Sequence, residues 1–502
     1  MLFNSYSFIV FFIIMLALHS MPFPWKVKKI NLLLASYLFY AAWNPPFILL
    51  LWLSTVVDFF VGRALYKENN KQKKHLLLVV SLIGNLGMLC FFKYGTFLLD
   101  NFVALVSTLG FEYHPAKPNI ILPAGISFYT FTTLCYTIDM YKRESKPVKS
   151  LLDFSLFVTF FPHLVAGPIV RPPQLVPQFE TPKQATREQL VKGLFLLSLG
   201  LCMKVVMADT LLAGSADSVF NFAGALSTLD AWMGVLAFSG QIFFDFAGYS
   251  TCAIGVAMCL GFTLPENFKY PYAAIGFSDF WRRWHITLSA WLRDYLYIPL
   301  GGNRKGEART YVNLMITMLL GGLWHGASWT FVVWGALHGI YLCVEKWLQG
   351  RKEQVPALVP APAVNVVAVT EDKPVIVTNS FAPAFLRHKA VNQFFAALFT
   401  FFLVNVTWVF FRATDFSTAW QLLASMFGFV ENGAALLTTL DVIKVSFITV
   451  LLVTTHWFMR NTSVLQVAQK TKWWVVGLFW ALLVILLILS QKSSDSFIYF
   501  QF

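Results

Sequence analysis

The chain has 502 residues, of which 57% are hydrophobic, 17% aromatic and 13% charged, and its formal net charge is +13. Soluble globular proteins carry about 25% charged residues, so the composition excludes a soluble domain; the basic residues sit between apolar runs, which points to membrane topology and not to nucleic acid. Six cysteines without a C-x-x-C pair give no zinc site or disulfide framework, and no other metal site is indicated.

The chain opens on an apolar run at 7–22. It lacks a basic leading region and an A-x-A-like cleavage site, so it reads as a retained helix and not a signal peptide. Lys26, Lys28 and Lys29 follow. The next runs, 30–43 and 47–61, are joined by the uncharged "WNPP" at 43–46, and Arg63, Lys67, Lys71, Lys73 and Lys74 come after them. Basic, neutral, basic predicts an N-terminus outside, with the first and third loops cytoplasmic. The same rule places the loop Arg460–Lys472 in the cytoplasm and the terminal "FIYFQF" outside. Further runs at 76–92, 152–166, 229–262 and 472–490 bring the total to roughly ten to thirteen spans at about 20 residues each. The fold class is an all-α polytopic membrane protein set in a lipid bilayer.

Ionisable residues inside such runs are costly and become functional candidates. Asp58, Lys93, Lys204 and His456 fall near the ends of runs, where snorkelling accounts for them. Asp245, in "SGQIFFDFAGYS" (239–250), reads either as a hydrogen-bonding anchor or as a group lining a site.

The block 277–309, "FSDFWRRWHITLSAWLRDYLYIPLGGNRKGEAR", is too charged to span. As one helix at about 100° per residue it places Trp281, Trp284, Leu288, Trp291, Leu292 and Tyr295 on one face, and Arg282, Arg283, Ser289, Arg293 and Asp294 on the other. That is an amphipathic interfacial helix, with His285 on its apolar side in need of a partner or a cavity. Residues 313–338 read as a second helix. There Gly321, Ser328 and Ala336 share the face of His325 to within about 60°, leaving room for a substrate or a neighbouring helix. On a straight helix His338 points about 220° away and about 20 Å further along, which denies the two histidines a common pocket. From spacing alone, a core histidine with a satisfied hydrogen bond explains either one.

The Pro-, Val- and Ala-rich stretch 355–384 has no helical period and reads as a flexible loop. It divides the chain into a core, 1–350, a linker over 351–384, and C-terminal helices, 385–502, that pack on the core.

No H-E-x-x-H, P-loop or G-x-S-x-G motif occurs. A lone histidine with an ordinary pKa of about 6.5 suits proton abstraction from a hydroxyl near neutral pH, which points to group transfer. "FWRRWHITLSAWLRDYLYIPLGGNR" (280–304) followed by "NLMITMLLGGLWHGASWTFVVWGALHG" (313–339) resembles the membrane-bound O-acyltransferase family, in particular the branch that O-acetylates bacterial polysaccharides such as alginate. The likeness continues in "ILPAGISFYTF", "FFPHLVAGPIVRP", "FFDFAGYS", "ENFKYPY" and "FIYFQF". It implies a helical bundle with a central funnel or tunnel and a multi-pass place in the bacterial inner membrane. It also implies catalysis by His325 in "LWHG", with His285 in "RRWH" as a second functional position that holds geometry. No bound cofactor is expected. The implied donor is acetyl-CoA or an acyl-carrier thioester, and the implied partners are periplasmic acetyltransferase proteins acting on alginate, peptidoglycan or a cellulose-like polymer. Among the basic residues near His285, Arg282, Arg283, Arg304 and Lys305 are the expected contacts for the donor's phosphates, with Asp245 also at the substrate. A transporter or a scaffold of a secretion complex is the reading from a different class.

Overall fold

The computed structural model describes residues 1–352 and 384–490. The loop expected from 355 onward, as far as 383, and the "FIYFQF" terminus lie outside the described residues. Regular structure among the described residues is helical, with one isolated backbone bridge between Leu226 and Ala434.

The first half contains α1 (Tyr6–Ser20), α2 (Trp25–Ala41), α3 (Ile48–Lys67), α4 (Lys71–Leu89), α5 (Gly95–Thr108), α6 (Ile126–Lys142), α7 (Leu151–Thr159), α8 (Pro172–Glu180), α9 (Arg187–Leu201) and α10 (Gly214–Phe220). Local chemistry sets their ends. Ser5 accepts from the Phe8 amide, Asn70 caps α4, and Thr186 with Gln189 forms a capping box on α9. Wider turns of π type, Cys90–Tyr94 and Cys202–Ala213, join α4 to α5 and α9 to α10 without a loop. The second half contains α11 (Thr228–Cys259), α12 (Phe277–Trp281), α13 (Ile286–Leu292), α14 (Glu307–His325), α15 (Trp329–Lys352), α16 (Ala384–Arg412), α17 (Phe416–Met426), α18 (Thr439–Met459), α19 (Val464–Lys470) and α20 (Trp473–Leu489).

Among the described residues, six stretches are long and apolar enough to cross a membrane: Pro45–Lys67, Lys71–Thr108, Arg187–Phe220, Thr228–Cys259, Ala390–Arg412 and Thr439–Met459. Two shorter apolar helices, α1 and α20, flank them. Part of the remaining apolar sequence is spent internally. Every residue of α6 from Ile126 to Thr137 is buried, and the run 152–166 leaves helix at Thr159 and continues as buried turns.

Two sequence-predicted helices are broken. The block 277–309 divides into α12 and α13 around His285, which takes a left-handed φ of 42°. The predicted faces survive the break, because Trp284, Leu288, Trp291 and Leu292 are buried while Arg282 and Arg293 are exposed. The stretch 313–338 also divides, at Gly326–Ser328. The backbone of Gly326 is extended, and Ser328 accepts from the Thr330 amide at 3.3 Å to start α15. α14 and α15 then fold back on each other. A Cβ on Gly322 would lie 2.3 Å from the Phe331 carbonyl oxygen, and one on Gly335 2.3 Å from that of Met318. The close approach of these backbones therefore depends on glycine.

The basic loops share one face of the bundle. Lys29 pairs with Asp153 at 2.5 Å, Arg63 reaches the Lys149 carbonyl, Arg143 bonds Asn69, and Trp25 donates to the Phe179 carbonyl. Arg171 pairs with Asp294, Arg460 with Asp279, and the Glu345 carboxylate receives the Phe277 and Ser278 amides. At the opposite face Arg412 pairs with Asp217, and the Trp329 indole donates to Asn101. α11, 32 residues long, runs from one face to the other.

Candidate active site at the paired histidines

The two breaks bring His285 and His325 together. Their ring centres lie 6.5 Å apart, although 40 positions separate them in sequence. Both are buried, at 0% and 3% exposure. His285 meets Phe246 of α11 edge to face at 4.6 Å. At 1.5 Å per residue, Phe246 lies about 27 Å from the start of α11 and about 20 Å from its end, so the pair sits in the middle of the bundle.

His325 is the last residue of α14, where helix carbonyls lack partners within the helix. Lys93 supplies them, donating to the carbonyls of Trp324 at 2.7 Å and His325 at 2.8 Å, while the Tyr94 hydroxyl donates to that of Leu323 at 2.8 Å. A cation at a helix C-terminus also suits the helix dipole. Lys93 therefore does not snorkel; it fixes the end of the helix that presents His325. Asn267 does the corresponding work for His285. Its side-chain oxygen lies 3.2 Å from His285 Nδ1 and 2.9 Å from the Thr287 hydroxyl, while its backbone carbonyl accepts from the Ile286 amide.

Tryptophans enclose the pair. Trp324 and Trp334 each lie 5.0 Å from His325, ring centre to ring centre, and Trp408 stacks on Trp334 at 6.0 Å and meets Trp284 at 5.1 Å. Of these, Trp324 and Trp334 touch the pair directly, and their buried indole N–H groups have no hydrogen-bond partner among the described residues. Buried donors are nearly always paired, and an unpaired one costs about 1–3 kcal/mol. Two such donors against His325 mark a place where acceptor atoms of a ligand would be received. On the side of the basic loops, a stack of rings leads toward the pair: Tyr295 to Trp291 at 5.3 Å, Trp291 to Phe131 at 3.9 Å, and Phe131 to Trp324 at 5.3 Å.

His338 is nearer to this group than a straight helix allows. Because the chain reverses at Gly326, His338 and His325 flank the same indole, with Trp334 at 4.7 Å from His338. Its Nε2 lies 3.1 Å from the Thr407 hydroxyl.

The sequence model of the membrane-bound O-acyltransferase family matches residues 141–354, which contain both histidines of the pair. The chain is 39% identical to a probable alginate O-acetylase of Azotobacter vinelandii, over 86% of this chain and 78% of that protein. It is 37% identical to a probable alginate O-acetylase of Pseudomonas putida over the whole of both. It is 38% identical to a peptidoglycan O-acetyltransferase of Helicobacter pylori, over 86% of this chain and 78% of that protein. The chain belongs to the membrane-bound O-acyltransferase family. It is a multi-pass membrane enzyme of the O-acyltransferase class.

Within this O-acyltransferase the other sequence candidates are engaged with other groups or exposed. Asp245 is 1% exposed and engages Lys204 at 2.5 Å, and Lys204 also engages Asp209 at 2.8 Å. Lys204 is thus a buried ion-pair residue and does not snorkel. Arg283 bonds Asp279 at 2.9 Å and the Arg460 carbonyl at 2.9 Å. Burial alone would raise the Asp279 carboxyl, but the Ile275 amide, Arg283 and Arg460 outweigh it and hold it below the usual carboxylate range. The Arg283 guanidinium therefore ties α12 to the end of α18. Arg282, Arg304 and Lys305 are exposed. Lys93, Asn267 and the unpaired tryptophans are the site features that sequence reasoning missed. The Gly-Ala-Ser of "WHGASW" was the available signal for the break, a glycine stop followed by a serine cap.

Proposed function

We propose that this O-acyltransferase moves acetyl groups from a cytoplasmic thioester, acetyl-CoA or an acyl-carrier thioester, to hydroxyls of a polysaccharide outside the bacterial inner membrane, and that alginate is the acceptor. The observation that carries the reading is the meeting of His285 and His325 at mid-depth, beside the unpaired indole donors of Trp324 and Trp334. Donor and acceptor arrive from opposite sides of a membrane, so a reaction centre halfway between the faces is the geometry such a transfer needs. The probable alginate O-acetylases, one of them aligned over its full length, support the acceptor.

In the proposed chemistry neutral His325 takes the proton of the accepting hydroxyl as that oxygen bonds to the thioester carbonyl carbon. The C–S bond then breaks, and His325 returns the proton to the departing thiolate. The indole donors receive the oxyanion formed in between. The basic face carrying the 26–29 and 63–74 loops is cytoplasmic by the positive-inside rule, which places the N-terminus in the periplasm. Exposed Arg304 and Lys305 attract donor phosphates there. Periplasmic partner proteins complete the transfer to the polymer.

The test is reconstituted protein supplied with radiolabelled acetyl-CoA on its basic face and alginate, with periplasmic extract, on the other. Label on alginate that depends on His325 is the expected result. Label on peptidoglycan alone would replace the acceptor, and the matched peptidoglycan O-acetyltransferase makes that the arm to run beside it. No histidine-dependent acetyl movement to either polymer overturns the proposal.

A further inference from the structure

The bonds around Asn267 fix which nitrogen of His285 carries hydrogen. The Thr287 backbone amide can only donate, and it points at Asn267 Oδ1 at 3.3 Å. The Thr287 hydroxyl accepts from the Ile169 amide at 3.0 Å, so its own hydrogen is free to go to Asn267 Oδ1, 2.9 Å away. Asn267 Nδ2 faces the other way and donates to Ser250 at 3.1 Å. The amide oxygen, an acceptor, is therefore the atom that faces His285 Nδ1 at 3.2 Å. A ring nitrogen opposite an acceptor must carry hydrogen, and in a neutral imidazole the other nitrogen then has none. That other atom, His285 Nε2, is buried and has no hydrogen-bond partner among the described residues. The backbone also serves this arrangement. His285 is one of four non-glycine residues with positive φ among the described residues, and its strained turn is tied down by the Ile286 amide on the Asn267 carbonyl.

We propose that Asn267 is a positioning residue of the transfer reaction, which locks His285 with its hydrogen on Nδ1 and leaves Nε2 as a bare acceptor beside His325. In that state His285 cannot donate to an acyl carbonyl; it receives a hydrogen. The ring separation of 6.5 Å is too wide for a direct bond between the two imidazoles and suits one bridging water. When His325 takes up the hydroxyl proton it becomes a donor at both nitrogens, and Nε2 of His285 accepts the second hydrogen through that water. The pair thus divides its labour: His325 exchanges the proton, and His285 supports the charge that forms on His325. The kinetic half of this inference rests on the proposed acyl transfer, whereas the tautomer does not.

The experiment is ¹⁵N NMR of the full-length protein in lipid nanodiscs, labelled at histidine, with His285→Gln identifying the His285 signals by their loss. The expected result is protonated Nδ1 and unprotonated Nε2 at His285, giving way to a mixture of tautomers in Asn267→Leu. Turnover in Asn267→Leu should fall about 100-fold, as for a misplaced catalytic group, with the donor KM unchanged. Asn267→Asp keeps an acceptor oxygen and should restore both the tautomer and most of the turnover. A hydrogen on Nε2 in the unmodified protein overturns the inference even if Asn267→Leu fails to fold. An unchanged tautomer in a folded Asn267→Leu protein overturns it as well. An unmodified protein with the expected tautomer but no acetyl transfer leaves the Asn267 lock standing and removes the proposed function instead.

Discussion

Two polar clusters are buried in this bundle, and they are finished differently. Around Asp58, which is fully buried, the Ser81 hydroxyl donates to one carboxyl oxygen at 2.6 Å and Asn85 Nδ2 to the other at 2.7 Å. Ser54 donates to the Asn85 oxygen at 3.0 Å, and Thr137 adds a longer bond to Asp58 at 3.4 Å. The cluster ties α3, α4 and α6 together and is saturated with protein donors. Around His285 and His325 the protein instead leaves the indole N–H groups of Trp324 and Trp334, and His285 Nε2, without partners among the described residues. Burying an unpaired polar group is expensive, and a bundle that saturates one cluster can saturate another. Burial is alike in the two places, so the difference lies in whether protein partners meet the central polar groups.

The sharpest way to break this comparison is to remove the acting group from the unsaturated cluster. His325→Ala should lower transfer by about 10²–10⁴-fold, the usual contribution of a positioned base, while the melting temperature in detergent stays within a few degrees. The check is acetyl transfer beside thermal unfolding of the same preparation. A His325→Ala protein with full activity would move the chemistry elsewhere.

The second prediction addresses Asp245, for which the sequence allowed either an anchor or a site. Its carboxylate engages Lys204, which in turn engages Asp209. Lys204→Met leaves two acids without their cation, a loss of about 3–5 kcal/mol for a buried pair. Unfolding should therefore occur at a markedly lower temperature, with turnover per folded molecule little changed. Turnover lost without any change in stability would give Asp245 a place in the reaction.

The third prediction tests the unused donors one at a time. Trp324→Phe keeps a ring beside His325 and deletes one indole N–H. If that group receives developing charge on the acyl oxygen, the loss of about 1–3 kcal/mol corresponds to a 10- to 100-fold fall in turnover. The fold should be unharmed or slightly more stable, because an unpaired buried donor has gone. A less stable protein with unchanged turnover would make Trp324 a packing residue.

These contrasts explain what was legible in the sequence. Apolar runs and the spacing of charges gave the helical membrane class. The faces of the 277–309 block were legible because burial selects faces even when the helix carrying them is broken. The breaks were not legible in the same way. A period of 3.6 fits 313–338 as well as it fits two helices, and Gly326 and Ser328 decide the matter through Lys93 and Tyr94, more than 200 positions earlier. The motif "LWHG" pointed to His325 by family likeness, while the partners that orient the histidines come from elsewhere in the chain. Asn267 lies in "ENFKYPY", where its residue type shows no role until the turn at His285 is folded against it.

The smallest expected effect belongs to the surface. Arg282, Arg304 and Lys305 are exposed, whereas neighbouring Arg283 and Arg293 are engaged with Asp279 and Asp294. Exposed charges act on an incoming anion through a field that salt screens over about 8–10 Å at physiological ionic strength. Such a field alters how often a phosphate-bearing donor arrives and has little effect on the step at mid-depth. Replacing Arg304 and Lys305 with Gln should therefore raise the donor KM by a few-fold at low salt, with kcat unchanged, and the difference should fade as salt is added. Steady-state kinetics with acetyl-CoA across a salt series is the measurement. An effect of equal size at every salt concentration would indicate direct contact with the bound donor, and no effect at low salt would leave the two residues as determinants of topology and headgroup contact.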